Sequence, residues 1–188
     1  MAAALAKKPL SIGLVGAGVV GGGVYEILAK RRDDFLAVGA DCIIKKICVR
    51  DVNKVRDFEI DAGTTIVGDV KEILDDPEID CVLELMGGTG LAKDVVFGAI
   101  SAGKHVVTAN KALVAAYLPE IQSLLNEHPE VSFSYEAAVC GGIPIINTLQ
   151  QDYLGDHVES VMGIMNGTTN FMLSKMEFEG AAYGDVLA

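Results

Sequence analysis

Six residues near the N-terminus, Gly16-Ala17-Gly18-Val19-Val20-Gly21, constrain this chain more than any other stretch. Leu10 to Val15 is a short apolar run that ends on glycine. From Val20 the apolar residues Val20, Val24, Ile27 and Leu28 recur at i, i+4, i+7 and i+8, the period of a helix. A strand therefore feeds a helix through a turn of pattern G-x-G-x-x-G. A glycine-rich surface turn has the same composition, but placement between strand and amphipathic helix gives each glycine a task. Gly16 permits the tight turn, Gly18 lets main-chain amides approach a diphosphate, and Gly21 allows close helix packing. The helix N-terminus, with its unpaired N–H groups and dipole, favours the anion. The pattern predicts a dinucleotide-binding turn.

Strands and helices continue to alternate. Cys42 to Val49 reads as a strand, Thr64 to Val67 as a short one, Asp69 as the cap of a small helix through Leu74, and Cys81 to Leu85 as a buried strand. Leu91 to Ser101 reads as a helix, His105 to Thr108 as a strand, and Lys111 to Glu127 as a helix broken or restarted at Pro119. Val131 to Tyr135 alternates apolar and polar residues like a strand. This order predicts an α/β fold, a Rossmann-type doubly wound, mostly parallel sheet with helices on both faces. After Gly141-Gly142 the pattern changes: Pro144 suits a first helical turn, 156–165 reads as a strand, and Thr168 or Thr169 as the cap of a helix through Phe178. The expected boundary lies near residue 145, giving a dinucleotide-binding domain over 1–145. The 146–188 remainder is short for a domain and reads as the truncated start of an α+β substrate domain.

Composition excludes several classes of function. The 188 residues are 51% hydrophobic and 22% charged, which a disordered segment would not be. The net charge is −11 and no basic run exceeds Lys30-Arg31-Arg32, so nucleic acid is not an expected partner. No apolar run reaches the roughly 18 residues of a membrane span. Cys42, Cys48, Cys81 and Cys140 lie far apart without a C-x-x-C pair, as reduced thiols do. Met1 to Pro9 lacks a long apolar segment before an A-x-A cleavage site, so the expected location is cytoplasmic.

The candidate chemistry gathers at predicted strand ends. The second strand closes on Val49-Arg50-Asp51: an arginine there suits the 2′-phosphate of NADP, an acid the ribose hydroxyl of NAD. Arg50 favours NADP, with Lys54 or Arg56 adding charge, while Asp51 keeps NAD open. Leu85-Met86-Gly87-Gly88-Thr89-Gly90 flattens into glycines that allow close cofactor approach, with the Thr89 hydroxyl free to bond. Lys111, at the tip after Thr108-Ala109-Asn110, is a candidate catalytic residue. In a partly desolvated strand end it would steady a carboxylate or act as a base. The bend after Glu136 exposes carbonyls suited to a hard cation, or serves as a plain hinge. Asn166-Gly167-Thr168-Thr169-Asn170 offers small polar groups to a substrate at a helix start.

Taken together these stretches resemble homoserine dehydrogenases. The similarity is carried in order by Gly13 to Gly21, Glu84-Leu85-Met86-Gly87-Gly88, Gly103 to Leu113, Glu136 to Ile146, and Gly163 to Asn170. The resemblance implies NAD(P)-dependent interconversion of L-homoserine and L-aspartate 4-semialdehyde on the route to threonine, methionine and isoleucine. It places Gly18, Val19 and Val20 on the cofactor diphosphate, Arg50 on the 2′-phosphate, and Thr89 and Lys111 at the nicotinamide and substrate end. It implies a sodium ion held by Glu136, Val139, Gly141 and Ile143, chiefly through carbonyls, and a substrate facing Gly167 and Thr168. It also implies a homodimer for the full-length enzyme. Further acidic substrate residues and the lysine usually assigned to proton transfer would lie beyond residue 188, leaving this chain alone without part of the active site. Two rival readings stand beside it: an acylating semialdehyde dehydrogenase with Cys140 as nucleophile, and a dinucleotide-sensing module without catalysis.

Overall fold

The apolar runs assemble into one sheet. In a computed structural model that describes residues 8–187, the strands are Leu10–Val15 (β1), Cys42–Cys48 (β2), Thr65–Val67 (β3), Cys81–Glu84 (β4), His105–Thr108 (β5) and Phe133–Ser134 (β6). Their order is β3-β2-β1-β4-β5-β6 and every neighbouring pair is parallel. Parallel neighbours need crossovers. Val19–Lys30 (α1) with Arg32–Ala37 (α2), Lys71–Leu74 (α3), Gly90–Ser101 (α4) and Lys111–Glu127 (α5) lie between strands in turn, while β2 reaches β3 through a loop without a helix. The strand order reverses between β1 and β4, which is where open α/β sheets place their ligands, outside the carboxyl ends of the strands.

Two apolar layers hold the sheet. Leu14, Ile47 and Leu83 pack with Tyr25 of α1 on one face, while Val15, Val82 and Val106 pack on the other with Val95, Val96 and Ile100 of α4 and Leu113 of α5. Successive residues of β1 thus enter opposite layers, which is why the strand reads as an unbroken apolar run. Gly13 is required by this packing, since a Cβ there would lie 2.4 Å from Ile73 Cγ2.

The chain divides into two compact units, residues 1–138 and 139–188. Among the described residues the second holds a single irregular helical turn at Thr148–Asp152 and the helices Gly167–Glu179 (α6) and Tyr183–Leu187 (α7).

Several expectations are corrected. Pro119 does not break α5, which runs unbroken through it. Pro119 and Ala115, whose carbonyl loses its usual N–H partner, both lie on the exposed side, where water can take the bond. The strand expected over 131–135 shrinks to Phe133–Ser134 at the sheet edge. No strand forms over 156–165, which takes no part in the sheet of the described residues. The cap of α6 is Asn166, not Thr168 or Thr169: its Oδ1 accepts from Thr169 N–H at 2.9 Å. The cap position of α3 falls on Val70, one residue after Asp69, whose carboxylate accepts from Lys71 N–H at 2.9 Å.

At the amino edge of the sheet, Asp80 ties three strands. Its carboxylate accepts from Ser11 N–H at 2.9 Å and Lys8 Nζ at 3.1 Å, its own N–H donates to Ser11 O, and its carbonyl accepts from His105 N–H. The Ser11 amide, more than Lys8, holds the Asp80 carboxyl below its ordinary 3.8. A lowered carboxyl pKa gives stability that is present above the ordinary value and lost as pH falls through the folded one. Asp80→Ala should therefore destabilise the chain by about 1–2 kcal/mol near neutrality. In urea unfolding the gap to wild type should close as pH drops below about 4; a gap independent of pH would show that the charge is not what matters.

Candidate functional site

The carboxyl ends of β1, β2, β4 and β5 each carry one part of the site. After β1, Gly16 has φ +98°, a conformation glycine tolerates best, and its N–H donates to Cys48 O at 3.0 Å, pinning the turn to the end of β2. A Cβ on Gly16 would meet Leu85 O at 2.7 Å, and one on Gly21 would meet Gly16 O at 2.0 Å. Gly18 is different: an added Cβ meets nothing within 4 Å. It begins α1 without any side-chain cap, and Val19 after it is 96% exposed, with Val20 more than half exposed. The first N–H groups of α1 thus face an open space, and residues 16–21 form an uncapped amide cradle that fits a diphosphate.

Beyond β2, Arg56 donates to the carbonyls of Lys54 and Asp51 at 2.7 and 2.9 Å, and Asp51 Oδ1 accepts from Asn53 N–H. Asp51 and Arg56 are thereby turned into their own loop. Arg50 is exposed and forms no hydrogen bond or ion pair among the described residues. It stands two residues past the Cys48 carbonyl that anchors the glycine turn.

After β4 the chain passes beside Gly16, with Leu85 N–H donating to Val15 O, and reaches Gly88 at φ +79° and Thr89 at the start of α4. Thr89 is half-buried. After β5, Asn110 caps α5 by accepting from Leu113 N–H at 3.1 Å. Lys111 follows as the first residue of α5 and is exposed, so the partial desolvation expected of it is absent. The first turn of a helix points its lysine outward rather than into the core.

Sequence reasoning assigned no role to Glu84, which closes β4. It is 0% exposed and accepts from Met86 N–H at 2.9 Å, Thr108 Oγ1 at 2.6 Å and Asn110 Nδ2 at 3.5 Å. Asn110 Nδ2 also donates to Gly88 O at 2.7 Å, and Asn110 N–H donates to Thr108 Oγ1 at 3.0 Å. The signal was one carboxylate closing an apolar strand.

In the first unit, Glu136 opens a single helical turn at Glu136–Ala138. In the second, Val139, Gly141 and Ile143 belong to a turn in which Cys140 and Gly141 have consecutive positive φ, 55° and 61°, and Ile143 N–H donates to Cys140 O at 3.2 Å. No cluster of three or more His, Cys, Asp or Glu side chains is placed to hold a metal among the described residues. Gly167 and Thr168 are exposed and open α6, with Asn166 capping Thr169 behind them. Cys140 is a free, half-buried thiol.

Comparison with known proteins agrees with this geometry. The family model described as "Homoserine dehydrogenase, NAD binding domain" matches residues 16–133, and the one described as "Homoserine dehydrogenase" matches 144–188. The homoserine dehydrogenase of Neisseria gonorrhoeae is 42% identical over 181 residues, covering 96% of this chain and 41% of that protein. That of Synechocystis is 43% identical over 178 residues, covering 95% and 40%. The crystal structure of a homoserine dehydrogenase from Thiobacillus denitrificans superposes with a TM-score of 0.85 at 41% identity, over 96% of this chain and 41% of that one. The chain thus spans about two fifths of the length of the relatives it matches.

The two glycines of the turn should behave oppositely when substituted. Gly21→Ala drives a Cβ onto the Gly16 carbonyl and should destabilise by about 3 kcal/mol. Gly18→Ala enters open space at φ −83° and should change stability by no more than about 0.5 kcal/mol. Thermal unfolding of both variants checks this, and equal losses would mean the turn is not built as described.

Proposed function

The chain belongs to the homoserine dehydrogenase family, and from that premise we propose that it supplies the cofactor site and first substrate residues of an enzyme interconverting L-homoserine and L-aspartate 4-semialdehyde with NADP(H) or NAD(H). The observation that carries the proposal is the open, uncapped start of α1 behind a glycine turn anchored to β2. That reaction belongs to the synthesis of threonine, methionine and isoleucine.

The bound nicotinamide nucleotide supplies the hydride acceptor and donor. The chain's own residues bind and orient. The amides of Gly18, Val19 and Val20 hold the diphosphate, with Gly16 and Gly21 shaping the turn. Arg50, free of other partners, meets the 2′-phosphate and favours NADP, since Asp51 is occupied within its loop. Thr89 bonds the nicotinamide half through its hydroxyl. Lys111 places its ammonium against the oxygen of the reacting carbon. As the hydroxyl proton of homoserine leaves to a base and hydride leaves its carbon, that positive charge stabilises the alkoxide character that develops. Gly167 and Thr168 offer the first N–H groups of α6 to the substrate.

Sodium binding through Glu136, Val139, Gly141 and Ile143 rests on donor chemistry, because main-chain carbonyls are hard oxygen ligands. A cytoplasmic location belongs to the same reading, since free cysteines suit a reducing compartment. A homodimer of the full-length enzyme completes the reading by family analogy.

Two measurements test it. Calorimetric titration should detect binding of both reduced cofactors. Arg50→Ala should weaken NADPH by about 10- to 100-fold while leaving NADH within about twofold; equal weakening of both would remove Arg50 from phosphate recognition. In an enzyme of full family length carrying these residues, Lys111→Ala should lower kcat/KM by at least about 100-fold. Turnover near wild type would show that Lys111 takes no part.

A further inference from the structure

We propose that Glu84 is a positioning residue, whose buried carboxylate sets Thr89 and Lys111 in fixed relation through Asn110. The inference rests on the cofactor reading above, since it concerns the nicotinamide end of that site.

Glu84 occupies the switch point of the sheet. It lies in register with Val15 on one side and Thr108 on the other, at the last rung of both ladders. A carboxylate without exposure is costly unless donors surround it. Here the donors come from the two loops that carry the candidate residues. Met86 N–H belongs to the loop leading to Thr89, while Thr108 and Asn110 lead into Lys111. Because Thr108 Oγ1 already accepts from Asn110 N–H, its own proton is directed at Glu84 Oε2. Both carboxylate oxygens are therefore acceptors, a pattern that neither glutamine nor an apolar residue reproduces.

Asn110 converts this anchor into a strut. Its Nδ2 reaches Gly88 O, one residue before Thr89, while its Oδ1 caps Leu113 in the turn that begins with Lys111. A single amide side chain thus spans the gap between the β4 and β5 loops, with the Glu84 carboxylate behind it fixing its direction. No buried side-chain polar atom among the described residues lacks a partner, so removing one member of this network leaves another buried group unpaired. A group whose only purpose was stability would be served equally well by apolar packing at β4's end. What the network adds is direction at the ligand edge.

The test separates the two halves of the cofactor. Titrations of the whole chain with NADPH and with 2′,5′-ADP, which carries the same 2′-phosphate but no nicotinamide, are compared for wild type, Glu84→Gln, Thr108→Val, Thr108→Ser and Asn110→Ser. Serine at 110 keeps a helix cap but cannot reach Gly88. Serine at 108 keeps the hydroxyl. The Kd for NADPH should rise about tenfold in Glu84→Gln, Thr108→Val and Asn110→Ser, while the Kd for 2′,5′-ADP stays within about twofold and Thr108→Ser matches wild type. Wild-type NADPH affinity in the three variants overturns the proposal. So does equal weakening of both ligands, which marks a merely structural role; Asn110→Ser and Thr108→Ser keep that outcome readable if Glu84→Gln folds poorly. Wild type binding neither ligand overturns the cofactor reading itself, and this inference with it.

Discussion

Between the Gly16 carbonyl and the α carbon of Gly21 there is no room for a methyl group: a Cβ would sit 2.0 Å from the oxygen. That approach lets α1 start directly over the end of β1, so its uncapped amides open at the switch point rather than over the face of the sheet. The same turn is held from both sides, by Cys48 O bonding Gly16 N–H and by Leu85 O lying where a Gly16 side chain would be. The positions of β2 and β4 and the direction of α1 thus converge on one glycine turn, and Arg50 and the Gly87-Gly88-Thr89 loop follow from where those strands end.

Much of the first unit is legible in sequence because strands buried on both faces must be apolar throughout. β1 and β4 fall where such runs predict them, β2, interrupted by Lys45 and Lys46, and β5 also form at their expected positions, and the helices between them follow the 3.6 period. The errors have local causes. A proline predicts a break, but α5 turns Pro119 and Ala115 toward water, and a missing hydrogen bond on that side costs little. The residues of 156–165 read as a strand, yet local residues describe only what a strand could be made of. A ladder also needs a neighbour, which a local pattern does not encode.

The candidate site divides along the same line. Glycines were informative because steric limits act within a few residues, so Gly16 and Gly21 could be given roles before the fold was known. Lys111 follows β5 as the sequence places it but is exposed rather than partly desolvated, since exposure is a property of the assembled fold. Glu84 shows the opposite failure. A carboxylate closing an apolar run looks like the strand emerging into solvent, whereas Thr108 and Asn110, brought alongside by β5 more than twenty residues later, enclose it.

That enclosure has a consequence for how such a site keeps its shape. The diphosphate cradle is made of main-chain amides held by sterics, so its geometry is set once the sheet forms. The nicotinamide end has no such backbone constraint: Gly87 and Gly88 are conformationally free, and Thr89 and Lys111 stand at the starts of different helices. Something must hold those two starts together, and a surface ion pair would be too weak and too readily screened. A buried acceptor with three donors is directional and shielded from water. Its desolvation cost is offset only when all the bonds are made together, which ties the order of the two loops to a single cooperative arrangement.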